Sequence, residues 1–210
     1  MAIRPRVMRL RLLAALSALL FATWTDQASA QIESKRSAAE LMDAVMWNRE
    51  PIGGAFALTD QAGRARTDRD FRGKYLLVYF GFTFCPDVCP TDLQAIGLAM
   101  DQLGARADAV QPLFITLDPA RDTVAQLAQY VPLFHPKLIG LTGSDHAIAA
   151  AADAYRVYYK HVAFGKDPSD YTVDHSGFVY LVDPEGTYLG FFPPGTSGER
   201  MVEMIKPHLK

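Results

Sequence analysis

The only two cysteines of this 210-residue chain stand four positions apart, in Cys85-Pro86-Asp87-Val88-Cys89, closed by Pro90. An apolar run, Tyr75 to Phe80, leads into them and a segment of helical periodicity follows, so both thiols fall at a strand-to-helix junction. Two thiols so placed do one of two things: they close a disulfide, or they chelate a soft metal ion. A structural disulfide works mainly by closing a long loop of the unfolded chain, and a bridge across three residues does little of that. The spacing therefore points to chemistry rather than reinforcement. Positions i and i+4 share a face if the chain is helical there. The pattern also places Cys89 just before a helix that opens at Pro90, where free amides and the dipole favour a thiolate. Thiolate is both the nucleophile of disulfide exchange and the ligand for soft metals.

The choice between the two turns on a third group. Redox dithiols of the thioredoxin type have two intervening residues and face a proline at the start of a later strand. Here three residues intervene, and the segment before the apolar run Phe178 to Val182 reads Val173-Asp174-His175-Ser176-Gly177. His175 stands near where that proline would be. Two thiolates and one imidazole form a sulfur-rich, three-donor set that suits Cu(I). Zinc takes four ligands, or three and a water, so it is the second choice. The other histidines (His135, His146, His161 and His208) read as loop, helix-start, aromatic-stretch and terminal-helix residues without a metal role. Asp118 ends the strand expected beside the motif strand. It either supports the site from behind or caps the turn before Pro119. Asp87 reads as a solvated loop charge, and Asp174 as a backbone or capping residue.

The elements that must position these groups follow from periodicity and turn chemistry. Ser34 to Asn48 predicts an amphipathic helix, with Leu41, Met42, Val45 and Met46 on one side. Phe56 to Leu58 predicts a short strand, Asp60 to Gly63 a hairpin turn, and Tyr75 to Phe80 a buried strand. A helix from Pro90 follows through Leu93, Ile96, Met100 and Leu103, with a capping box at Thr91 to Gln94. Strands at Leu113 to Leu117 and Lys137 to Leu141 alternate with helices capped by Thr123 and opened by Ser144. Val157 to Val162 reads as a further strand and Gly165 to Asp170 as a polar loop. Phe178 to Val182 and Tyr188 to Phe192 flank the turn Asp183-Pro-Glu-Gly186, and Glu199 to His208 forms a last helix. The order is β-β-α-β-α-β-α-β-β-β-α, which implies one α/β domain with a central mixed sheet flanked by helices.

Composition bounds the rest. Half of the residues are hydrophobic, enough for one core and unlike a disordered chain. Arg4, Arg6, Arg9 and Arg11 precede the apolar run Leu12 to Trp24, and Ala28-Ser29-Ala30 supplies a small-x-small cleavage pattern. Residues 1–30 thus read as an export signal, in preference to an uncleaved membrane anchor because the run is short of the roughly 20 residues a span needs. Removing it takes four arginines and one aspartate, leaving 17 basic against 22 acidic residues and a net charge of −5. So acidic a chain, without basic clusters, is a poor nucleic-acid binder. The expected compartment is periplasmic or otherwise exported, where disulfides persist.

The run Tyr79-Phe-Gly-Phe-Thr-Phe-Cys-Pro-Asp-Val-Cys-Pro-Thr91, followed by Asp92, resembles the SCO/SenC family of copper-delivery proteins. So do Phe114-Ile-Thr-Leu-Asp-Pro119 with Arg121-Asp122-Thr123, Gly140-Leu-Thr-Gly143, Tyr155-Arg-Val157 and Tyr171-Thr-Val-Asp-His175, all in order over residues about 53–192. The resemblance implies a thioredoxin-like fold over 53–210, with 31–52 as an N-terminal helix and linker. It also implies copper ligation by Cys85, Cys89 and His175 and a role in building the dinuclear copper centre of cytochrome c oxidase; the sulfur-rich donor set prefers Cu(I), with Cu(II) as the alternative. The implied partners are the oxidase's copper-bearing subunit and an upstream copper donor or thiol reductant. Many relatives carry an N-terminal membrane anchor, from which the short apolar run here departs. Two functions compete: a non-enzymatic copper chaperone, and a thiol–disulfide reductase that keeps a partner's cysteines reduced, with Cys85 and Cys89 as its catalytic pair. A thiol peroxidase is the weaker third, since two close thiols and a distal histidine fit a chelate better.

Overall fold

Near-continuous hydrophobic runs decide where the sheet has its centre. The computed structural model describes residues 51–209; the export segment at 1–30 and the helix expected over Ser34 to Asn48 lie outside the described residues. The described strands are β1 (Ala57–Asp60), β2 (Ala65–Thr67), β3 (Tyr75–Gly81), β4 (Val110–Thr116), β5 (Ile139–Thr142), β6 (Tyr159–Ala163), β7 (Tyr171–His175), β8 (Val179–Val182) and β9 (Tyr188–Phe192). The described helices are α1 (Val88–Leu103), α2 (Val124–Tyr130), α3 (Asp145–Ala154) and α4 (Gly198–Ile205). Seven strands form one sheet in the order β2-β1-β5-β4-β3-β8-β9. The neighbours β3, β4 and β5 run parallel and the other pairs antiparallel, so the expected mixed α/β sheet is present. Parallel pairs need crossovers, and α1 and α2 supply them.

β3 is buried from Leu76 to Gly81, as its apolar run requires of a strand covered on both faces. Tyr79, Phe80, Phe114 and Tyr180 stand among the largest fully buried side chains. The apolar stripe of α1 (Leu93, Ile96, Met100 and Leu103) is buried as its spacing implies. The N-terminus of α4 lies against α1 so closely that a Cβ on Gly198 would stand 2.8 Å from Ala95 O. Thr123, Ser144 and Ser197 cap α2, α3 and α4, each accepting from the backbone N–H three residues on.

Three local expectations are corrected. α1 begins at Val88, not at Pro90. Pro90 sits within the first turn, where a missing N–H costs nothing. The Thr91 hydroxyl donates to Asp87 O at 3.0 Å instead of opening a capping box. β2 is the return arm of the β1 hairpin, short and scarcely apolar, held by the buried carboxylate of Asp60, which accepts from Ala62 N, Arg64 N and the guanidinium groups of Arg64 and Arg66. β7 pairs only with β6, in a two-stranded hairpin outside the main sheet. It buries one residue fully, Val173, so its sequence carries little apolar alternation.

Candidate metal centre

β3 ends at Gly81, and the chain turns through 82–87 into α1. The turn brings the backbone against a sulfur: a Cβ on Gly81 would lie 3.0 Å from Cys89 Sγ and 3.1 Å from the Tyr79 ring. Cys89 is fully buried in the first turn of α1, and Cys85 is half-buried in the loop. Both are free thiols. The Cys85 N–H donates to Phe82 O at 3.3 Å.

His175 is the last residue of β7, opposite Tyr159. Its Nδ1 lies 3.1 Å from Ser176 O. A carbonyl only accepts, so in the neutral imidazole Nδ1 carries the proton and Nε2 presents the lone pair. Nε2 stands 3.5 Å from Cys89 Sγ. The Phe82 ring meets the imidazole edge-on, with centroids 6.0 Å apart. The following loop rests on the start of α1, for a Cβ on Gly177 would meet Pro194 at 3.2 Å and Val88 at 3.9 Å. Residues 86 positions apart in the chain thus meet at one point.

The two thiols are electrostatically unlike. The Cys89 thiol donates to Cys85, and the Asp87 and Cys89 backbone N–H groups add to that bond against the opposing effect of burial; Cys85 is held down at about 5. Cys89, as the donor and as a buried group, is pushed far up. At neutral pH the pair is one thiolate and one thiol. Two donors bound to a common ion at about 2.0–2.3 Å stand about 3.5–4 Å apart, and Cys89 and His175 already have that spacing. Among the described residues, no set of three or more His, Cys, Asp or Glu side chains is arranged as a preformed metal cluster. The Cys89 thiol still carries its proton here, and an ion would displace it.

Behind them lie groups of two kinds. Asp118 is fully buried. It accepts from the Tyr171 hydroxyl at 2.8 Å and from Arg121 Nε, while its carbonyl closes the turn by accepting from Arg121 N and Asp122 N. The Arg121 guanidinium lies over the Tyr171 ring at 3.8 Å and the exposed Phe84 ring at 4.9 Å. Beneath Cys89, buried Asp92 accepts from Gly195 N at 2.9 Å. Its second oxygen and the Tyr79 hydroxyl have no well-formed hydrogen bond. Burial raises both groups above their ordinary ranges.

A family model described as SCO1/SenC matches residues 45–210. This chain belongs to the SCO1/SenC family. It is 46% identical over 158 residues to the mitochondrial SCO2 homolog of Bos taurus, covering 74% of this chain and 59% of that one. It is 45% identical over 161 residues to the sco1 protein of Schizosaccharomyces pombe, covering 75% and 60%. The chain thus spans less than two thirds of the length of these curated relatives. Among solved structures, Bradyrhizobium japonicum ScoI with copper bound superposes with a TM-score of 0.70 at 42% identity, covering 75% of this chain and 99% of that chain. Yeast Sco1 with copper bound gives 0.70 at 41%, covering 76% and 88%. These neighbours share the thioredoxin-like fold that the motifs imply.

Within this SCO1/SenC domain the structure sets Cys89 against His175 at 3.5 Å and beside Cys85. It places Asp118 behind them, in contact with the strand that carries the histidine. Cys89 does not precede the helix, as the position of Pro90 suggests, but lies inside its first turn. The remaining histidines sit apart: His135 accepts from Lys137 N at 3.1 Å, His161 lies between the rings of Tyr159 and Tyr171, and His208 lies against Tyr75. Sequence reasoning assigns no role to Arg121, Asp122, Tyr171, Tyr79 or Asp92. All five stand in the quoted motif runs, and that is the one signal the sequence offers for them.

Proposed function

We propose that this chain carries one copper ion, held as Cu(I) by Cys85, Cys89 and His175, and passes it to the copper-bearing subunit of cytochrome c oxidase. The observation that carries the reading is the convergence of Cys89 Sγ on His175 Nε2 at 3.5 Å, beside a Cys85 whose thiol is held down at about 5 by Cys89. The copper-bound relatives, similar over three quarters of this chain, support copper over zinc. Capture displaces the Cys89 proton, because Cys85 is already a thiolate, and the imidazole binds through Nε2. Release is ligand exchange: a partner's thiolate or imidazole adds from the open Cys85 side while a carrier ligand leaves. The oxidase as destination rests on family membership, and an exported location rests on residues 1–30. Among the described residues no helix is long and apolar enough to cross a membrane. The full chain, reduced anaerobically, is expected to take up about one Cu(I), and His175→Ala to weaken binding by at least about tenfold. Unchanged affinity in that variant would remove the imidazole from the centre.

A second reading, thiol–disulfide reduction of the partner's cysteines, is favoured by one observation: the low-lying, half-exposed Cys85 beside a buried, protonated Cys89. That asymmetry suits an attacking and a resolving thiol. The Cys85 thiolate attacks a partner disulfide and expels one partner sulfur. Cys89, losing its proton, then closes the bridge to Cys85 and frees the second. Cys89→Ala should trap the mixed disulfide. If His175→Ala reduces the partner fully yet delivers no copper, the two activities are separable.

A further inference from the structure

Two buried carboxylates on one short turn reach in opposite directions. The turn, residues 118–122, joins β4 to α2 and is closed by Asp122 N donating to Asp118 O at 2.8 Å. Asp118 grips β7, four residues before His175, through Tyr171 and Arg121. Asp122 grips the other loop. Its Oδ1 accepts from Thr83 Oγ1 at 2.6 Å, and its Oδ2 from Thr83 N at 2.9 Å and Thr116 Oγ1 at 2.6 Å. Gln126 Nε2 completes the Thr83 hydroxyl by donating to it at 3.2 Å.

Thr83 stands two residues before Cys85, where the sheet gives out. The last rung there is Leu117 N to Gly81 O at 2.7 Å. Beyond it the Asp122 carboxylate takes over the hold on the loop. That carboxylate is wholly buried with an amide and two hydroxyls for partners, an arrangement that costs free energy by desolvation and yields one fixed loop geometry in return.

We propose that Asp122 is the positioning residue for the Cys85 side of the centre. By tying Thr83 to the same turn that ties Tyr171, it sets the separation of Cys85 from His175 and holds the three donors ready for capture. It acts through Thr83 and is not itself a ligand. The inference rests on the copper reading above and names what pre-organises that same site.

The test uses the reduced full chain and its variants Thr83→Val, Thr83→Ser, Asp122→Asn and Thr83→Val/Asp122→Asn. Cu(I) affinity is read by competition with a chromophoric Cu(I) chelator, the sulfur-to-nitrogen ligand ratio by X-ray absorption, and the fold by circular dichroism. Thr83→Val and Asp122→Asn are each expected to weaken binding by about 10- to 100-fold. The double variant should be no worse than the weaker single, because both cut one link, and Thr83→Ser should bind as wild type does. Thr83→Val keeps the side-chain shape and the N–H bond to Asp122 Oδ2, so it decides the matter even if Asp122→Asn fails to fold. Wild-type affinity and ligand ratio in Thr83→Val would overturn the proposal, as would losses that add in the double variant. A wild-type chain that takes up no copper would instead remove the reading beneath it, and this inference with it.

Discussion

Cys85 and Cys89 are the same side chain in two environments. Cys85 sits in an open loop, bonded by Cys89 and by two backbone N–H groups, and titrates at about 5. Cys89 is sealed under Gly81 and the Tyr79 ring and stays protonated. Above about pH 5 Cys85 is therefore thiolate and below it thiol. The rate of its alkylation in the reduced protein should rise with pH through a midpoint near that value, while Cys89 reacts only once the protein is unfolded. Cys89→Ala removes the donor first in importance, so the midpoint should climb toward the ordinary thiol range. An unmoved midpoint would show that the backbone amides alone hold Cys85 down. The pairing of Cys85 with Cys89 is legible in the sequence, because both lie in one motif. Which of the two is exposed is not, because that depends on how closely β3 approaches α1 at Gly81.

At the scale of elements, strands and helices with strong apolar periodicity are readable, and those held by polar side chains are not. β3, β4, β8 and α1 announce themselves through runs such as Tyr75 to Phe80 and Phe178 to Val182. β2 does not, for its three residues are fixed by a carboxylate on the neighbouring strand. β7 does not either: it buries Val173 fully and is anchored by Tyr171 and Arg121, so the strand that carries the histidine is invisible to a search for alternation. The Asp60 anchor of the β1–β2 hairpin can be tested. Burial alone would raise its carboxyl, but the Arg64 backbone, the Arg66 guanidinium, the Ala62 backbone and the Arg64 guanidinium together hold it at about 2, below the ordinary 3.8. A carboxyl depressed by folding lends stability above its unfolded value and loses it as pH falls toward the folded one. Asp60→Asn should cost about 2 kcal/mol at neutral pH, and the gap to wild type should close between about pH 4 and pH 2 in urea unfolding. A gap that stays constant across that window would mean the carboxylate's charge plays no part.

At the scale of the whole molecule, the candidate site joins two kinds of foundation. The sulfurs sit on the loop and first helical turn that follow β3, which lies between β4 and β8 in the middle of a seven-stranded sheet. The imidazole hangs from the end of a hairpin whose two strands bond only to each other. In hydrogen–deuterium exchange, amide protons of β3 should be replaced only when the sheet as a whole comes apart, and those of β6 and β7 whenever the hairpin lifts locally. The cysteines and the histidine therefore keep different clocks, and the imidazole should swing away with its hairpin on a far shorter timescale than the one on which the sheet lets go of the cysteine loop.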